Sequence, residues 1–135
     1  MKFFGIAVLL LVPFCAFAQQ QKPSEPYAET KEFAEAIQRS VDEYANTLKL
    51  EDWQVFYVDS ILVHNYTEMN NEMEALNKAK VSKSNYYDDI RDKWDEATYN
   101  AFHKVLDDNQ WNKYLKSGAG REKKDREKRA AKRNK

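Results

Sequence analysis

The sequence predicts an all-α protein, an antiparallel helical hairpin or bundle of three to four helices around one long central helix. Three observations carry this. Glycine occurs only at Gly5, Gly118 and Gly120, and proline only at Pro13, Pro23 and Pro26, so the stretch from Tyr27 to Ser117 contains neither. Tight hairpins need glycine for positive φ and phosphate-cradling loops need it for close backbone approach, so β-meanders, Rossmann units and P-loops are disfavoured. Within that stretch apolar residues recur every three or four positions, the period of one helix face. The single cysteine, Cys15, lies in an apolar N-terminal run, so the rest of the chain must hold together by packing, without a disulfide or thiolate metal site.

Residues 1–18 read as a signal peptide. Lys2 precedes an apolar run that ends in Ala16-Phe17-Ala18, the small-x-small pattern of a cleavage site. The run is shorter than the roughly 20 apolar residues a bilayer span needs, and Pro13 interrupts it. The chain is therefore expected to be exported, into a periplasm. Phe14 stands before Cys15, where lipoprotein signals carry a small residue, which argues against a lipid anchor. Residues 19–26, polar and with two prolines, are expected to form a disordered lead-in to a helical domain over 27–117.

In helix one, Phe33, Ile37, Val41, Tyr44 and Leu48 fall on one face. The central helix carries Val55, Val58, Leu62, Tyr66, Met69, Met73 and Leu76, and four of these lie seven apart in a heptad-like seam. From Asp52 to Lys80 it would run roughly 43 Å, too long for one short neighbour to cover. Val81-Ser82-Lys83-Ser84 breaks the pattern and offers Ser82 or Ser84 as the next N-cap. Helix three has the stripe Tyr87, Ile90, Trp94, Ala97, Ala101 and Val105, with Asp88 and Asp89 expected in its first turn. A last helix starts at Asp107, with Gln110 placed as in a capping box and Trp111, Tyr114 and Leu115 as its apolar side. Short connections make neighbours antiparallel, giving one compact domain. Gly118 and Gly120 form a flexible joint to residues 118–135, a basic tail that is helical or frayed.

Two elements share the form Leu-acid-Asp-x-Gln: Leu50-Glu51-Asp52-Trp53-Gln54 and Leu106-Asp107-Asp108-Asn109-Gln110. Each introduces a helix, with the residue after Leu as N-cap and Gln returning a bond to the backbone. These elements, in an exported helical chain without cysteines in its body, resemble the LTxxQ signature of the Spy/CpxP family of small periplasmic proteins over roughly Lys49 to Leu115. The capping threonine is Glu51 in one copy and Asp107 in the other. Glu is a poor N-cap, so Asp52 is expected to take the role in the first copy. The resemblance implies a helical fold, a cradle-shaped homodimer, and a role as an ATP-independent chaperone or envelope-stress adaptor. It assigns Leu50, Gln54, Leu106 and Gln110 as structural signature positions, not as an active site.

Charge divides the chain. Residues 19–120 hold 12 basic and 19 acidic groups, and residues 121–135 hold nine basic and three acidic ones. The acidic body departs from the basic concave face of the family's chaperones. The cationic tail suggests contact with an anionic lipid or lipopolysaccharide surface through Arg121, Lys123, Lys124, Arg126, Lys128 and Arg129. Export argues against nucleic acid as its partner. On the apolar faces, rich in Tyr, Trp and Met, the candidate contacts for unfolded or envelope proteins are Trp53, Tyr57, Tyr86 and Trp94.

Catalytic chemistry finds little support. No serine sits in a nucleophile elbow, and neither His64 nor His103 lies in a zinc-binding pattern. His64 with Glu68 and His103 with Asp107 are i, i+4 pairs, each at most half a metal site. The expectation is a non-enzymatic exported binding protein without a cofactor. The alternatives are an adaptor docking through its tail and a periplasmic metal sensor.

Overall fold

The computed structural model describes residues 30–135, and among these every regular element is helical. The signal peptide and lead-in expected over residues 1–26 lie outside the described residues. The elements are α1 (Lys31–Leu48), α2 (Asp52–Lys78), α3 (Ser84–Val105), α4 (Asp108–Tyr114) and α5 (Gly120–Arg133), with a kinked connection, Leu115–Ala119, between the last two.

Capping sets the boundaries. Thr30 caps α1 by accepting from the Phe33 amide, and Lys49, in the left-handed region at φ 56°, ends it. The N-cap of α2 is Glu51, not Asp52, because the chain is still extended at Glu51 (ψ 159°) and Asp52 is already helical. At the other end α2 stops at Lys78, two residues earlier than its pattern implied, where Lys80 turns left-handed at φ 56° and the Val81 amide bonds to the Leu76 carbonyl. Lys83 is the N-cap of α3, and neither Ser82 nor Ser84 caps it. Asp88 and Asp89 therefore sit past the first turn, beyond reach of the exposed amides there. The Tyr87 hydroxyl instead straps the turn by donating to the Val81 carbonyl at 2.9 Å.

α2 and α3 form a long antiparallel hairpin. Its rungs are Asn65 Nδ2 donating to Thr98 Oγ1 at 2.9 Å and Lys93 paired with Glu72 at 2.5 Å. α1 and α4 cover one half of it. Accordingly the core gathers there: Phe33, Ile37, Val41 and Leu48 of α1, Val58 and Leu62 of α2, Phe102 of α3, then Leu106, Tyr114 and Ala119. Phe102 is fully buried, with the rings of Tyr44 at 5.1 Å and Tyr114 at 5.3 Å. In the outer half of the hairpin Met69, Met73, Leu76, Ile90 and Trp94 are only partly covered. The wheel position after Leu62 goes to buried Asn65, while Tyr66 of the predicted seam lies at the rim of the core, still 37% exposed.

The tail folds back. From the buried end of α4 the connection Leu115–Ala119 turns the chain at Gly118, whose φ of 126° suits glycine alone, and α5 then lies along α3. The joint is thus a built kink with Ala119 packed in the core, and the tail is a docked helix.

Candidate functional site

The two Leu-acid-Asp-x-Gln elements meet. Gln54 Nε2 donates to Gln110 Oε1 at 2.6 Å, and Gln110 Nε2 donates to Gln54 Oε1 at 2.9 Å. Each Oε1 also accepts from its own N-cap amide, Glu51 at 2.9 Å and Asp107 at 3.0 Å. The second proton of each Nε2 goes across the interface, from Gln54 to the Val105 carbonyl at 3.0 Å and from Gln110 to the Lys49 carbonyl at 3.3 Å. Every bond thus has a counterpart in the other copy, an approximate two-fold arrangement. Both amides use their full capacity of two donors and two acceptors, which lets Gln54 and Gln110 lie 3% and 6% exposed without an unpaired group. Leu106 is buried and Leu50 packs against the core beside them. Leu50, Gln54, Leu106 and Gln110 therefore form a structural corner tying α1–α2 to α3–α4.

The corner sets up an exposed surface. Glu51, fixed by Gln54, accepts a 2.6 Å hydrogen bond from the Trp53 indole N–H. Trp53, Phe56 and Tyr57 point away from the core, 52%, 67% and 51% exposed. Their rings meet edge to face, with Tyr57 6.1 Å from Trp53 and 5.7 Å from Phe56. Ser60 and Val63 continue the same face, opposite buried Gln54, Val58 and Leu62. With each aromatic side chain offering ~200 Å², the three rings leave on the order of 300 Å² of apolar surface in water, comparable to the largest exposed patch of an ordinary monomer.

Phe56, the most exposed of the three, was absent from the sequence-based candidates. Its signal was available: residues 53, 56, 57, 60 and 63 are the complement of the buried series on the same helical wheel.

The other two aromatic candidates lie elsewhere. Tyr86 is 46% exposed near the start of α3, at the far end of the hairpin from Trp53. Trp94 is partly buried in the α2/α3 seam, edge-on to His64 at 6.0 Å, with the Lys93 ammonium over its ring and its own indole N–H unpaired.

Of the six tail cations, three face α3. Arg126 is 7% exposed, donates through Nε and Nη2 to Glu96 Oε2 at 3.2 and 3.1 Å, and lies over the Tyr99 ring. Lys123 bonds the other oxygen of Glu96, and Arg129 grips both oxygens of Asp92 at 3.0 and 2.6 Å. Arg133 joins Asp92 at 2.5 Å and Asp89 at 2.6 Å. The Arg129 hydrogen bond holds the Asp92 carboxyl below its usual range. Burial pushes Glu96 up, but the bonds from Lys123 and Arg126 outweigh it and its value is lowered. Arg121, Lys124 and Lys128 point outward.

A small cavity of about 80 Å³ beside this clasp is lined by Tyr44, Tyr66, Tyr99, Tyr114 and Asp95. Burial raises the Tyr44 phenol to about 12 and moves Tyr66, Tyr114 and Asp95 upward as well. Arg126 already supplies the cation such a lining suits.

The His103 ring stacks on Trp111 at 4.3 Å. Among the described residues no group of three or more His, Cys, Asp or Glu side chains is placed to hold a metal ion, and no helix is long and apolar enough to cross a membrane. No known protein family, curated protein or solved structure matches the chain.

Proposed function

We propose that this is an exported, cofactor-independent binding protein that covers apolar segments of unfolded or envelope proteins with the outward face of α2, acting as a chaperone or stress adaptor. The observation that carries the reading is the cluster of Trp53, Phe56 and Tyr57, rings in contact and each more than half exposed on a helix whose opposite face is the core. A helix with two apolar faces needs two partners, and the fold supplies one.

Magnitude favours a loose grip. Burying about 300 Å² of apolar surface releases roughly 7 kcal/mol, comparable to the cost of immobilising a partner, so this patch alone holds a client weakly and lets it go. Such exchange suits a holding protein without an energy source. The signal-peptide pattern of residues 1–18 and the resemblance to the Spy/CpxP family support a periplasmic location for this proposed activity.

The test is anisotropy of a fluorophore-labelled, permanently unfolded client titrated with the protein. Saturable binding that the triple substitution Trp53→Ser, Phe56→Ser, Tyr57→Ser abolishes is expected. Equal binding by the two proteins would move the function off this face.

A further inference from the structure

α5 carries two cationic faces. Lys123, Arg126, Arg129 and Arg133 all pair with Asp89, Asp92 or Glu96 of α3. Arg121, Lys124, Lys128 and Lys132, spaced 3, 4 and 4, fall on the opposite side and are exposed. Among these Lys128 meets a carboxylate at Asp125, 3.7 Å away, with its own side chain still 74% exposed. Residue type follows the faces. Three of the inner four are arginine, whose planar fork suits a fixed carboxylate, and three of the outer four are lysine, a compact hydrated charge on a flexible stem.

We infer that the outer face of α5 docks the protein on an anionic lipid bilayer, the inner arginines serving to hold that face rigid and turned outward. The occupant follows from shape and charge. The four cations lie along ~17 Å of one straight helix, so a planar array of anionic headgroups can engage all of them while a compact anion reaches one or two. The stripe carries no aromatic or large apolar side chain, so it rests on headgroups without inserting, and it offers no aromatic platform on which successive nucleobases stack. The body is acidic, 12 basic against 19 acidic groups over residues 19–120, and is repelled by the same membrane. That combination fixes one orientation. The inference is independent of what the α2 face binds.

The test is co-sedimentation of the full chain with phosphatidylcholine vesicles containing roughly one-third phosphatidylglycerol, at low and high salt. Two charge-matched variants are compared: Lys124→Gln with Lys128→Gln and Lys132→Gln, and Lys31→Gln with Lys78→Gln and Lys83→Gln on the body. Circular dichroism verifies that both fold.

The expected result is salt-sensitive binding of the unaltered protein that falls more than about tenfold in the α5 variant and changes little in the body variant. Absence of binding at low salt, equal losses in the two variants, or retained binding by the α5 variant would each overturn the inference. So would a protein that ignores these vesicles yet binds duplex DNA through the same lysines.

Discussion

Gln54 and Gln110 exchange side-chain hydrogen bonds at 2.6 and 2.9 Å, and each also holds the amide that begins its own helix and a carbonyl that precedes the other's. The groups tied to each glutamine are two backbone groups and the amide of the other, buried, glutamine. Replacing Gln54 by Ala should cost about 2–4 kcal/mol, because the Glu51 amide, the Val105 carbonyl and half of Gln110 lose partners together. Gln110→Ala should match it. The double variant should cost clearly less than the sum, which a double-mutant cycle by urea denaturation measures.

Gln54→Glu tests the donor role in particular. A carboxylate has no proton to give to Gln110 Oε1 or to the Val105 carbonyl, so the folded state favours the neutral acid and raises its pKa. The sign follows: below the unfolded value of about 4.3 the penalty is small, and stability falls as pH climbs from there toward the raised folded value. Thermal melts at pH 4 and pH 7 should differ in that direction relative to the unaltered protein, and a pH-independent deficit would contradict the assignment.

Much of this corner was legible in the sequence, since a Leu-acid-Asp-x-Gln repeat announces two capped helices. The repeat did not disclose that the two caps face each other, because pairing across 56 positions is a tertiary fact. Elsewhere the 3-4 spacing located α1 well, and its four buried residues all lie on the predicted stripe. It misjudged α3. There Phe102 is fully buried off the predicted stripe, because that end of α3 packs against α1 and α4 as well as α2. The tail was readable as a cationic helix, but its docking depends on Asp89, Asp92 and Glu96 falling opposite it, which composition does not reveal.

The α5 clasp should be sensitive to acid. Asp92 and Glu96 have folded pKa values below their usual range, so their stabilisation is complete above the ordinary carboxylate value and is lost as pH falls through the lowered one. Amide-exchange protection over residues 120–133, relative to the unfolded rate at the same pH, should therefore fall below about pH 4 while the buried parts of α2 and α3 stay protected. Glu96→Ala should produce similar fraying at neutral pH, since it leaves the nearly buried Arg126 without its carboxylate.

The two glycines of the joint should respond differently. Gly118 has φ 126° and nothing within 4 Å of an added Cβ, so Gly118→Ala carries a purely conformational penalty of about 1–3 kcal/mol. Gly120 is helical, at φ −66°, and an added Cβ would sit 3.1 Å from the Leu115 carbonyl oxygen. The usual gain of about 1 kcal/mol for alanine in a helix is offset by that contact, so Gly120→Ala should be near neutral. Thermal denaturation of the two variants checks the contrast.

The claim on which the functional account turns is that the outward rings of α2 hold apolar segments of other proteins. Light scattering of an aggregating client, mixed with an equimolar amount of this protein, tests it most directly. Suppression of scattering by the unaltered chain, and its loss on Trp53→Ser, Phe56→Ser, Tyr57→Ser at unchanged helicity, is the predicted result. Unsuppressed aggregation with the unaltered chain, or full suppression by the triple variant, would contradict it.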